Sequence, residues 1–143
     1  MTALAVAERL GGEKVLRREI RSELDLAEAV GIGFPTRAVE VVLKAGLLAA
    51  EEMYALVVPR RTLAHRRGKQ KILSPEQSDR LARVVRVLGR AEDALGARDS
   101  ADRWLRKENR ALGGKRPLDL LGSDAGTRMV ERVLGRIEHG VYS

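Results

Sequence analysis

The stretch Ser74-Pro75-Glu76-Gln77-Ser78-Asp79-Arg80-Leu81-Ala82-Arg83-Val84-Val85-Arg86-Val87-Leu88-Gly89-Arg90-Ala91-Glu92-Asp93-Ala94-Leu95-Gly96 decides the fold class. Ser74 brings the hydroxyl of an N-cap, Pro75 suits the first helical position, and Gln77 stands where a capping box closes. Behind that start, Leu81, Val84, Val85, Leu88, Ala91 and Leu95 keep the 3.6-residue period of a helix with one apolar face. Gly96 supplies the stop.

The pattern continues outward from this helix in both directions. Upstream, Leu16, Ile20 and Leu24 are spaced by four, and Leu26 to Val30 carries on until Gly31 and Gly33, which predicts helix over this stretch. Thr36 is the expected N-cap of a segment from Arg37 to Ala45, closed by Gly46. A short helix from about Ala49 to Leu56 follows, with Met53 and Leu56 inward and Glu51 and Glu52 in the first turn, where the helix dipole favours negative charge. After Val57-Val58, Pro59 opens another helix that runs to about Arg67 and stops at Gly68. Downstream come short pieces at Ala101 to Leu105 and Pro117 to Leu121, separated by Gly113-Gly114. A last helix from Ser123 or Asp124 shows Val130, Val133, Leu134 and Ile137 on one face and ends at Gly140. Trp104 is expected as a core anchor against Leu105, Leu118, Leu121, Val130 and Leu134. No alternating strand pattern and no internal repeat occur, so the fold class is all-α.

Composition narrows the function. The 143 residues are 44% hydrophobic and 33% charged, a globular balance long enough for a real core. Cysteine is absent, which removes disulfides, thiolate metal sites and cysteine nucleophiles together. The two histidines, His65 and His139, are too few for a histidine-rich metal site, and no metal or cofactor is expected. At 3% aromatic content the chain lacks material for a base-stacking platform. No apolar run is long enough for a bilayer, and the first ten residues, with Glu8 and Arg9, do not read as a signal peptide. A cytoplasmic protein with no membrane contact is the expectation.

The net charge is +7, and its distribution says more than its total. Residues 1–57 hold seven basic and nine acidic side chains; residues 58–90 hold ten and two; residues 91–143 hold ten and nine. Between Val57 and Leu73 there is no acid, against Arg60, Arg61, Arg66, Arg67, Lys69 and Lys71. A solvated helix face normally mixes both signs, so this block reads as a footprint for a polyanion. The two short helices around the apolar joint make a candidate helix-turn-helix whose second helix would enter the major groove with its N-terminal side chains first. Arg60, Arg61, His65, Arg66, Arg67 and Lys69 are the candidate contacts, since arginine grips guanine bidentately or holds phosphate. The alternative is an ordinary helical hairpin with a wet basic face.

Signals for an enzyme are weak. His65 lies inside the arginine cluster, and His139 stands one residue before a glycine stop, where it favours the helix dipole. Gly11-Gly12-Glu13-Lys14 lacks the first glycine and the hydroxyl of a phosphate loop. Gly31-Ile32-Gly33 follows a helix rather than a strand. Glu51 and Glu52 are adjacent and point about 100° apart on a helix, so they form no acid–base pair. No catalytic residue is expected.

The tail carries several spaced motifs in order: Trp104-Leu105, Leu112-Gly113-Gly114, Pro117-Leu118-Asp119-Leu120-Leu121 and Arg136-Ile137-Glu138-His139-Gly140-Val141. With Arg61-Thr62-Leu63, Arg66-Arg67 and Leu73-Ser74-Pro75-Glu76-Gln77-Ser78 upstream, the chain resembles the Xre/MbcA/ParS antitoxin family over about residues 36–143, closest to its ParS branch. Where that family often has a glycine and a serine in the turn, this chain has Val57 and Pro59.

The resemblance implies a type II antitoxin that dimerises, binds operator DNA of its own operon, and inhibits a RES-domain toxin that consumes NAD by hydrolysis or ADP-ribosyl transfer. Three parts are expected: an N-terminal helical segment, 1–35, from its own pattern, and, as the resemblance implies, a helix-turn-helix and dimerisation region, 36–96, and a toxin-binding domain, 97–143. The resemblance also places the C-terminal end near the toxin's NAD cleft. On that basis Arg128, Arg132, Arg136 and His139, with Val141, Tyr142 and Ser143 beyond the helix, are the expected toxin contacts. The rival is a plain helix-turn-helix regulator whose tail only dimerises or binds an effector.

Overall fold

The computed structural model describes residues 1–68 and 71–140, with the backbone alone described for Arg67 and Gly68. The described residues form helices and turns with no strand; two isolated antiparallel bridges, Pro35 with Ile72 and Asn109 with Lys115, are the nearest approach to a sheet. The helices are α1 (Ala3–Arg9), α2 (Gly12–Leu16), α3 (Glu23–Ile32), α4 (Arg37–Lys44), α5 (Ala50–Leu56), α6 (Arg60–Gly68), α7 (Pro75–Leu95), α8 (Arg98–Leu105) and α9 (Asp124–Glu138), with 3-10 turns at Arg110–Leu112 and Pro117–Leu120. Two compact units are present, Met1–Val85 and Arg86–Ser143.

The first unit departs from the sequence reading at its start. The fourfold spacing of Leu16, Ile20 and Leu24 does not make one helix. Helix α2 ends at Leu16, Arg17 turns left-handed with φ 61°, and a new helix starts at Glu23. The cause is a local cap. Ser22 Oγ accepts the Asp25 N–H at 3.1 Å, while Asp25 Oδ2 accepts the N–H groups of Ser22 at 3.1 Å and Arg21 at 2.8 Å. Those backbone bonds hold the Asp25 carboxyl below the usual carboxylate range, the Arg21 N–H most of all. Ile20 is therefore in the core, whereas Leu24 is 67% exposed.

Behind α3 the chain makes a strap. Phe34 is buried, and its N–H donates to the buried Ser78 Oγ at 2.8 Å. Leu73 N–H donates to Phe34 O at 2.8 Å and Thr36 N–H to Lys71 O at 2.9 Å, so residues 34–36 and 71–73 run antiparallel. Gly33 makes this approach possible: its φ is 103°, and a Cβ there would collide with the Leu73 carbonyl oxygen. Thr36 occupies the N-cap position of α4, but its side chain makes no capping bond; its backbone N–H is taken by the strap instead. The core below collects Val39, Val42, Met53, Leu63, Leu73 and Leu81.

Helix α7 begins as its sequence predicts. Ser74 Oγ accepts the Gln77 N–H at 3.1 Å and Gln77 Oε1 accepts the Ser74 N–H at 2.9 Å. Leu81, Val84, Val85, Leu88 and Ala91 are buried; Leu95 is only half-buried, and Val87 joins the core as well.

In the second unit α9 packs on both 3-10 turns and α8 packs on the second. Leu105, Leu112, Leu118, Leu121, Val130 and Leu134 form the core. Gly126 lets α9 lie against the second turn, since a Cβ there would meet the Leu120 carbonyl oxygen. Trp104 is not the anchor expected of it. It is half-buried, because α8 turns its i+1 neighbour Leu105 and its i−3 neighbour Ala101 inward and leaves the indole at the edge of that face.

Candidate functional site

Two basic helix faces stand out, one in each unit. The first is built by α5, the joint Val57-Val58-Pro59, and α6. Glu52 Oε1 accepts the Ala49 N–H at 2.8 Å and starts α5. Val57 closes it with φ −117° and ψ −62°, ordinary right-handed backbone, so this turn needs no glycine. Val57 and Val58 are buried, and Pro59 O accepts the Leu63 N–H at 3.0 Å. Pro59 therefore sits one place before the helix rather than at its first residue. Leu63 is buried, and that fixes the rotation of α6. At 100° per residue, Arg61 and His65 lie opposite Leu63, while Arg60 and Ala64 flank it at about 60° and 100°.

Arg60, Arg61 and His65 are exposed, and their side chains make no hydrogen bond or ion pair with another described residue. The structure thus brings three of the six expected DNA contacts together. Arg66 is different: it is half-buried and its Nη1 donates to Ile72 O at 3.2 Å, fastening the strap to α6. The Arg67 side chain and Lys69 lie outside the described residues.

The second face belongs to the last helix. Ser123 Oγ accepts the Gly126 N–H at 3.0 Å and caps α9. Val130, Val133 and Leu134 are buried, which turns Arg128, Arg132 and Arg136 outward at four-residue intervals. Arg128 Nε donates to Asp124 Oδ2 at 2.8 Å; Arg132 and Arg136 make no ion pair with a described residue. His139 is exposed, and its Nδ1 lies 2.7 Å from Gly135 O, so the proton must sit on that nitrogen. Val141, Tyr142 and Ser143 lie outside the described residues.

Beside this face runs a shallow groove of about 420 Å³ lined by Arg90, Arg128, Glu131, Arg132 and Gly135. Arg90 comes from α7. It is held by Glu138 at 3.1 Å and Glu131 at 3.5 Å, and Glu131 also meets Arg86 at 3.5 Å. Sequence reasoning missed Arg90, Glu131 and Gly135. The signal available was weak: Arg86 and Arg90 one turn apart, and Glu131 and Glu138 two turns apart. Nothing in either spacing says the two pairs face each other. Among the described residues no cluster of three or more His, Asp or Glu side chains is placed to hold a metal, and no helix is long and apolar enough to cross a membrane.

By class, this is a helix-turn-helix protein with an appended small helical domain. A family model for the Antitoxin Xre-like helix-turn-helix domain matches residues 25–86, and one for the Antitoxin Xre/MbcA/ParS C-terminal toxin-binding domain matches residues 90–140. Antitoxin Xre of Yersinia enterocolitica is 34% identical over 120 residues, 82% of this chain and 81% of the relative. Antitoxin Xre of Pseudomonas putida is 30% identical over 122 residues, 85% of this chain and 76% of the relative. A Sphingobium protein named Prs ADP-ribosylating antitoxin is 32% identical over 98 residues, 62% of each chain. The chain belongs to the Xre/MbcA/ParS antitoxin family. Membership of an antitoxin family agrees with the expectation that it is not an enzyme.

Proposed function

We propose that the protein neutralises a RES-domain toxin by occluding its NAD site with the second unit, and that its first unit dimerises and represses its own operon. The observation that carries this reading is the exposed arginine stripe of α9, lying within the segment that matches a toxin-binding domain. The name of the Sphingobium relative supports ADP-ribosyl chemistry at the toxin. In this reading the face with Arg128, Arg132, Arg136 and His139 contacts the rim of the cleft. The segment Val141-Tyr142-Ser143 enters it, with the tyrosine filling a pocket. Arg60, Arg61 and His65 take operator DNA, the helix N-terminus of α6 adding unpaired N–H groups toward phosphate.

The test is co-expression with the neighbouring gene product and purification by a tag on one partner. A stable complex and preserved cellular NAD are expected. Deleting residues 141–143 should leave the fold and operator binding intact and restore NAD loss. If the truncated chain protects NAD as well as the full chain, the tail is not the plug.

A further inference from the structure

Two glycines of α9 differ in what their surroundings require. Gly126 is forced, because a Cβ would strike the Leu120 carbonyl oxygen. Gly135 is not. It lies mid-helix with no left-handed φ, and a Cβ there would meet only the end of the Arg90 side chain, Nη2, at 3.4 Å, an ordinary contact. A glycine in a helix interior is less favourable than alanine, so backbone and packing give no reason for it. What its missing side chain does is leave the groove open. Three guanidinium groups, Arg90, Arg128 and Arg132, surround that opening against one carboxylate, Glu131.

The three arginines are not equivalent. Glu138 and Glu131 hold Arg90, and Asp124 pairs with Arg128 on the exposed surface. Arg132 alone of the three has no ion-pair partner among the described residues. The carboxylates of Glu131, Glu138 and Asp124 offset the charge of Arg90 and Arg128, so the groove presents one unsatisfied fork, Arg132, beside two paired ones. Next to it Met129 is 37% exposed and flanked at i+3 and i+7 by Arg132 and Arg136. Methionine and arginine are enriched at the centre of protein interfaces, where lysine and the acids are depleted.

We propose that the groove over Gly135 is the socket for an acidic side chain of the toxin, gripped by Arg132 between the paired Arg90 and Arg128, with Met129 packed beside it. This rests on the toxin-binding reading above and names the chemistry of the partner surface: a carboxylate on a partly apolar patch. A carboxylate matches the fork geometry bidentately. Gly135 acts as the specificity element, since any longer side chain fills the space the carboxylate needs.

The test uses the full chain and the co-purified toxin. Gly135→Phe fills the socket without adding or removing a charge, and Arg132→Glu reverses the grip without touching the core. Each is expected to weaken toxin binding at least tenfold, with the helical circular dichroism unchanged. A selection for toxin variants that again bind Arg132→Glu is expected to return acid-to-base changes. Wild-type affinity in both variants, or restored binding only through changes at uncharged toxin positions, overturns the socket and leaves the antitoxin reading standing. Loss of operator binding with toxin binding intact also overturns it, because the groove is then a nucleic-acid surface. A wild-type chain that binds no toxin at all fails the antitoxin reading itself.

Discussion

The basic face of α6 and the basic face of α9 use the same residue in opposite settings. On α6, Arg60 and Arg61 stand exposed at a helix N-terminus with no acid between Val57 and Leu73. On α9, Asp124 pairs with Arg128, and Glu131 and Glu138 hold Arg90 of α7 beside it, so the unpaired Arg132 and Arg136 stand among acids and braced arginines. Unpaired arginines suit a polyanion, which supplies its own charge along its whole length and releases counterions on binding. Arginines braced by acids suit a shaped protein partner, where orientation costs less if it is set beforehand. Charge count alone does not separate the two; the placement of acids does.

The largest expected effect tests whether the α6 face depends on the strap. Phe34→Ala removes a fully buried ring and should cost about 3–5 kcal/mol in urea unfolding. Operator affinity should fall with it, because residues 34–36 hold the segment that Arg66 fastens to α6. A cost under about 1 kcal/mol would mean the strap carries little of the unit's stability.

Next, Arg61→Ala should cost about 1–3 kcal/mol at one operator position if the side chain grips a base. The double variant Arg60→Ala/Arg61→Ala should also lower the salt slope of operator binding by about 0.9 for each phosphate left without its arginine. Arg132→Gln should leave that slope unchanged. Equal slopes in both variants would erase the distinction between the two faces.

A smaller effect concerns the break between α2 and α3. Ser22→Ala should cost about 1 kcal/mol, the usual worth of an N-cap hydroxyl. The smallest lies in the second unit. Arg116 donates to both oxygens of Asp119, at 2.8 and 2.9 Å, and this holds the Asp119 carboxyl below its ordinary value. A depressed carboxylate contributes stability above its unfolded pKa, and that contribution disappears as pH falls through the folded value. Both side chains are about half exposed, so the gain should stay under about 1 kcal/mol. Asp119→Asn should therefore be slightly less stable than wild type at pH 6 and equal to it once pH falls well below the ordinary carboxylate range. A difference that persists in acid would assign the effect to packing instead.

Helix α7 and the last helix are readable residue by residue, because caps and 3.6-residue periods act within a few residues of each other. The box of Ser74 and Gln77, the Ser123 cap and the inward set Val130, Val133 and Leu134 are all of this kind. The basic block around Arg60 and Arg61 is equally legible, since excess charge is a property of composition. Where two local signals compete, the reading fails. The fourfold spacing of Leu16, Ile20 and Leu24 has a helical period, yet the Ser22 and Asp25 cap restarts the chain inside it. Trp104 fails for another reason: being the largest apolar residue in a short helix does not say which side of that helix the core lies on.

What the chain determined by itself is its all-α class, its main helix ends and the position of its unbalanced positive charge, all set by neighbours within a turn or two. What only the tertiary structure decided are pairings across long separations. Phe34 meets Ser78 across 44 residues, and Arg90 meets Glu138 across 48. These contacts turned Arg66 into a fastener and made Arg90 and Gly135 part of a groove. The physical reason is that a helix pattern states which residues share a face, whereas the contact between two faces depends on how loops and close-packed turns bring them together.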